Sequence, residues 1–155
     1  YGITDREEEA DIIVINTCCF IHDAKEESVN TILEMAEWKK EGPCRILAVT
    51  GCLAQRYQQE ILEEIPEVDL VLGTASTDEI LKGLEQVKTS GSCLDLKELT
   101  YLPRFTTKRV LTEGGHHAHL KIAEGCDKHC TYCIIPKIRG PYRSVPMEEL
   151  VRQAE

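Results

Sequence analysis

No stretch of this sequence approaches the roughly 18 consecutive apolar residues that a membrane span requires. No basic-then-apolar leader opens it, so nothing in it argues for export. It lacks an initiating Met: it begins at Tyr1, in the middle of an acidic turn, and is expected to be a piece of a longer chain. Positive charge is also short. The formal net charge is −9, with −10 on residues 1–120 and +1 on residues 121–155. An acidic body is a poor general binder of nucleic acid, because neutralising phosphates needs clustered cations. It suits a basic protein partner better. What remains is 155 residues, 42% of them apolar, enough for one domain or a domain and a fraction.

Eight cysteines in a chain without an export signal argue against a disulfide framework, since the cytosol keeps thiols reduced. The expected location is the cytoplasm, and metal binding or redox chemistry is the default for clustered cysteines.

Hydrophobic patterning implies an α/β fold. Asp11–Asn16 is a continuous apolar run suited to a buried parallel strand. Asp23 is expected to cap a helix, with Glu26 three residues on and Val29, Ile32, Leu33 and Ala36 buried, until Gly42-Pro43 ends it. Arg45–Thr50 reads as a second strand, Ala54–Ile65 as a helix stopped by Pro66, and Val68–Leu72 as a third strand. Ser76 and Glu79 form a capping box for a helix with Ile80, Leu81, Leu84 and Val87 on one face. This alternation predicts a parallel sheet covered by helices. Periodicity then lapses. A linker is expected over 89–117, with a short strand around Ser92–Leu96. A new strand is expected at His119–Ala123, then a helix opened by Pro146 with Met147, Leu150, Val151 and Ala154 inward. The domains read as 1–88, an α/β unit, and 118–155, the start of a second domain.

The chemistry concentrates in Cys126-Asp-Lys-His-Cys130-Thr-Tyr-Cys133. Three thiolates on one loop select zinc, copper(I) or an iron–sulfur cluster. A structural zinc site wants four ligands in two pairs, and a ferredoxin-type cluster wants four cysteines. Here there are three, with no fourth within the next twenty residues. Three ligands on a cubane leave one iron open to an exchangeable ligand, which is a catalytic arrangement. Gly125 permits close backbone approach, and Tyr132 sets an aromatic beside whatever binds. The competing reading is a zinc knuckle completed by His129 or a remote ligand. A second pair of thiols, Cys18 and Cys52, follows the first and second strands at their carboxyl ends, where open α/β sheets hold ligands. Two cysteines are too few for a cluster, and inert burial is the plain alternative. Cys19 should point away from Cys18, and Cys44 and Cys93 read as structural.

The spacing CxxxCxΦC, with Φ aromatic, is similar to the signature of the radical S-adenosylmethionine superfamily. Asn16-Thr-Cys18, Phe20-Ile21, Asp23–Ser28, Thr50–Arg56 and Leu120–Cys126 together resemble the methylthiotransferases. Phe20–Ser28 and Arg139–Ser144 resemble the branch acting on a ribosomal protein. The resemblance implies two 4Fe–4S clusters and S-adenosylmethionine. Cys126, Cys130 and Cys133 match the ligands of the radical cluster, and Cys18 and Cys52 match two of three ligands of an auxiliary cluster. The third would lie before Tyr1, on a first strand this sequence does not contain. Position 19 is usually Gly in such enzymes, where Cys19 stands here. The resemblance further implies that residues 118–155 open a partial barrel. It implies methylthiolation of the β-carbon of an aspartate in small-subunit ribosomal protein number twelve. A tRNA adenosine is the alternative substrate, and a non-catalytic cluster module the alternative class. The electron donor is not legible.

Lys137, Arg139 and Arg143 follow the cysteine loop. They suit a cofactor carboxylate or a neighbouring domain, since Arg grips carboxylates bidentately, or else form a solvated basic loop. Tyr132 and Arg139 are the expected cofactor contacts. His116, His117 and His119 lack a cysteine or carboxylate at ligand spacing, and suit a structural or adventitious role.

Overall fold

The computed structural model describes residues 1–101 and 116–155. The middle of the expected linker, 102–115, lies outside the described residues. Four strands form one parallel sheet in the order β1 (Ile12–Thr17), β2 (Ile46–Gly51), β3 (Leu70–Leu72) and β4 (Cys93–Asp95). Ile12 pairs with Ile46 and Thr17 with Gly51, so the carboxyl ends of β1 and β2 are level.

The apolar run of β2 becomes the centre of the fold because both its faces are covered. Leu47 and Val49 meet α1 (His22–Glu41), α2 (Cys52–Tyr57) and α3 (Gln59–Glu64). Ile46 and Ala48 meet Leu84 and Val87 of α4 (Ile80–Ser90). Leu47, Val49, Leu70 and Leu72 are wholly buried, each contributing roughly 1.5–3 kcal/mol by transfer from water. β1 has one buried face, Ile13 and Ile15, while Val14 remains 45% exposed.

Several local expectations give way to tertiary contacts. The α1 N-cap is Ile21, with Asp23 inside the first turn, where its charge still suits the helix dipole. The buried stripe of α1 is Ser28, Ile32 and Ala36, whereas Leu33 is 49% exposed because it sits one step round from the sheet. The helix expected over Ala54–Ile65 starts earlier and is cut in two at Gln58, whose φ of 46° leaves the helical region. Ser76 makes no helix-capping bond. Its hydroxyl accepts the Lys97 backbone N–H at 2.8 Å, tying the turn after β3 to the chain leaving β4. Leu81 points out, 59% exposed, and Gly83 faces the sheet instead, where Leu70 leaves no room for a side chain.

The second region differs most. In place of a barrel strand at His119–Ala123 there is a short antiparallel ribbon, β5 (Ala123–Glu124) with β6 (Arg143–Ser144). Among the described residues no second βα unit offers it a parallel neighbour, so its backbone groups bond the returning chain. Between these strands lies α5 (Ile135–Arg139), whose Ile138 is buried in the core shared with α1–α3. α6 (Met147–Ala154) buries none of its residues. Met147 is 69% and Val151 50% exposed, against the inward face expected of it.

Candidate functional site

The cysteine loop is shaped by two glycines and a return of the chain. Gly125 has φ +77°, and a Cβ there would meet the Pro141 carbonyl at 2.1 Å, so only glycine lets the loop lie on the 140–141 backbone. The Cys126 N–H donates to the Gly140 carbonyl at 3.1 Å, and the Tyr142 N–H to Asp127 Oδ1 at 2.8 Å. The Cys133 N–H closes a turn on the Cys130 carbonyl at 3.1 Å. Cys126 and Cys133 are half-buried and Cys130 is exposed. Cys130 and Cys133 line a pocket of about 500 Å³ together with His129, Tyr132 and Lys137 of the same segment and Phe20 and Arg56 of the α/β unit. Tyr132 is 86% exposed at its mouth. Among the described residues, no three His, Cys, Asp or Glu side chains converge on a single-ion site. Three thiols on one loop, two of them lining an open pocket, are soft donors of the kind that zinc, copper(I) and iron–sulfur clusters take.

Cys52 is the first residue of α2. It follows Gly51, whose φ of +95° turns the chain off β2 where a Cβ would strike the Thr17 carbonyl at 2.4 Å. Cys52 is buried, 5% exposed. Cys18 leaves β1 at the same level. Ser28 pins its backbone, accepting its N–H and donating to its carbonyl, both at 3.0 Å. The side chain of Cys18 is exposed, and it is Cys19 that turns inward, 2% exposed. Burial pushes the Cys19 thiol pKa up, with the neighbouring Cys52 adding to the effect. Cys18 and Cys19 therefore face opposite ways, as extended backbone requires. Cys44 donates to the Ile46 carbonyl and Cys93 to the Gln86 side chain.

Arg139 joins these two places. Its Nε and Nη2 donate to Cys52 Sγ at 3.3 and 3.2 Å, and its Nη1 to both carboxylate oxygens of Glu124 at 3.2 Å. Burial works against the charge on Arg139, but Cys52 and Glu124 outweigh it. Burial likewise opposes ionisation of Glu124, and Lys121 and Arg139 overcome it, holding that carboxyl below its ordinary value. Arg143 folds back on its own turn, donating to the Pro141 and Arg139 carbonyls. Lys137 is exposed at the pocket. Patterning gave no warning of Glu124, of Gln55 accepting the Thr74 N–H at 3.1 Å, or of Thr74 donating to the Ile138 carbonyl at 2.8 Å. These bonds join segments far apart in sequence, and no local spacing announces them.

Residues 1–73 match a family described as uncharacterized protein family UPF0004. The whole chain is 63% identical over 155 residues to a protein of Lachnoclostridium phytofermentans named ribosomal protein uS12 methylthiotransferase RimO, covering 35% of that relative. Proteins of the same name from Pelotomaculum thermopropionicum and Acetivibrio thermocellus are each 48% identical, over 155 and 162 residues, with 35% and 36% of their lengths covered. The chain thus spans about a third of the length of the curated relatives it matches. Similarity to methylthiotransferases runs through all of it.

Proposed function

We propose, on a likeness to methylthiotransferases that runs the length of the chain, that the full-length protein transfers a methylthio group to the β-carbon of an aspartate in small-subunit ribosomal protein twelve. The observation that carries this reading is the 63% identity, over all 155 residues, to a protein named for acting on that substrate. The cofactors are two 4Fe–4S clusters and S-adenosylmethionine, which when bound supply the radical, the methyl group and the electron path. The domain assignment of 1–88, 89–117 and 118–155 belongs to the same proposal. No helix among the described residues is long and apolar enough to cross a membrane. A substrate on the small ribosomal subunit puts the reaction in the cytoplasm.

The chain's own residues take distinct parts. Cys126, Cys130 and Cys133 hold the radical cluster as thiolates, the last two lining the pocket that Tyr132 borders. Tyr132 is the residue assigned to the cofactor side of the site, while Arg139, expected beside it, is bonded to Cys52 and Glu124. Cys18 and Cys52 supply two ligands to the auxiliary cluster at the level ends of β1 and β2. The bare Cα of Gly51 lets the chain turn off β2 against Thr17, and that of Gly125 lets the cysteine loop lie on the Gly140-Pro141 backbone. The acidic α/β unit suits a basic ribosomal protein. The electron donor stays unassigned.

Mass spectrometry of ribosomal protein and of tRNA nucleosides, from a strain lacking the full-length gene, tests the reading. The expected result is loss of the methylthio mass on the ribosomal protein with tRNA unchanged. Loss of the tRNA modification instead would move the protein to the tRNA branch.

A further inference from the structure

All three guanidinium nitrogens of Arg139 are engaged, and they are engaged by two different segments. One arm lies on the thiol of Cys52, 87 residues away, where α2 leaves the sheet. The other lies on Glu124, two residues before Cys126. The backbone carrying Arg139 is itself fixed. The neighbouring Ile138 is 2% exposed in the core, its carbonyl takes the Thr74 hydroxyl at 2.8 Å, and the Arg139 carbonyl takes Arg143 Nη2 at 3.2 Å. A rigid planar fork anchored in this way fixes the separation of the groups it grips, which a flexible single ammonium cannot do.

We propose that Arg139 is a positioning residue that locks the three-cysteine loop against the Cys52 crevice and so sets the gap between the two thiol sites. The lock itself stands on geometry. Its consequence for chemistry rests on the methylthiotransfer reading, in which material bound at one site must meet a radical made at the other, and small misplacements are costly. The side chain therefore acts behind the pocket, through Cys52 and Glu124. It is not among the residues lining the space beside Tyr132.

The test uses the full-length protein with Arg139→Gln, Arg139→Lys and Glu124→Gln. The first readout is amide hydrogen exchange without cofactors. Arg139→Gln and Arg139→Lys are expected to raise exchange across Glu124–Cys133 by about tenfold or more, with β2 unchanged. Both should also open Cys52 to iodoacetamide. Glu124→Gln is expected to loosen the loop while Cys52 stays shielded, and it carries the test if an Arg139 variant does not fold. The second readout is the magnetic interaction between the two clusters in the reconstituted enzyme, expected to weaken in both Arg139 variants while iron content holds. Wild-type exchange and cluster interaction in Arg139→Gln overturn the lock. The same result in Arg139→Lys alone shows that any cation suffices and overturns the role of the fork. The exchange and alkylation results need neither cofactor nor substrate, so they stand or fall separately from the proposed reaction.

Discussion

The α/β unit of residues 12–95 and the cysteine-loop segment of residues 116–155 are built on opposite principles. The first is held from inside, by central strands β2 and β3 whose side chains are excluded from water on both faces. The second has two buried apolar side chains, Ile138 and Val145, and leaves its longest helix uncovered. What holds it is a set of directed bonds: Cys126 to Gly140, Tyr142 to Asp127, Thr74 to Ile138, and the Arg139 fork. Apolar burial is non-directional and tolerant of small shifts, while hydrogen bonds fix distances. The rigid body carries the thiols of Cys18 and Cys52, and the tethered segment carries the triplet.

The strongest way to break the contrast is to remove the thiols themselves. Replacing Cys126, Cys130 and Cys133 together with Ala in the full-length enzyme should abolish S-adenosylmethionine cleavage and lower iron content by about half, since a cluster without thiolate ligands does not assemble. Iron analysis and 5′-deoxyadenosine formation check this, and cleavage that persists would sink the radical assignment.

Packing gives the next largest separation. Leu47→Ala, at a site with no exposure, should cost about 2–5 kcal/mol. Ile122→Ala, 61% exposed before the cysteine loop, should stay within about 0.5 kcal/mol. Urea denaturation measures both, and equal costs would show that the second segment has a core of its own.

Acid should separate the regions without mutation. The folded pKa of Glu124 lies below its ordinary value of 4.5. Its contribution is therefore complete above that value and is lost as pH falls through the lowered folded value. Hydrogen exchange followed downward from neutral pH should show the 123–145 segment loosening below 4.5, while β2 stays protected. Simultaneous loss in both regions contradicts a tether that depends on this carboxylate. The smallest effect belongs to α6: Val151→Thr, half-exposed, should shift stability by less than about 0.5 kcal/mol.

Legibility follows the same division. Ile12–Thr17 and Ile46–Gly51 were readable to within a residue or two, because buried parallel strands must be continuous apolar runs. The short strand at Cys93–Asp95 was readable too, though only the fold shows it as the fourth member of the sheet. The break at Gln58, where φ is 46°, was not, since no Gly or Pro marks it within Ala54–Ile65. Leu33 and Leu81 were misplaced by a helical step, because periodicity names a face without saying how far the sheet extends beneath it.

By itself, the sequence determined the parallel α/β architecture and the three-thiol loop, along with the glycines that let the chain turn at Gly51 and Gly125. Hydrophobic period, ligand spacing and left-handed backbone are local properties, and local residues carry them. Only the tertiary structure decided that Cys19 turns in while Cys18 faces out, that α5 docks through Ile138 on the first unit, and that Arg139 spans Cys52 and Glu124. Those contacts join residues up to 87 positions apart. A fork of fixed geometry meets both partners only where burial has packed the segments against one another.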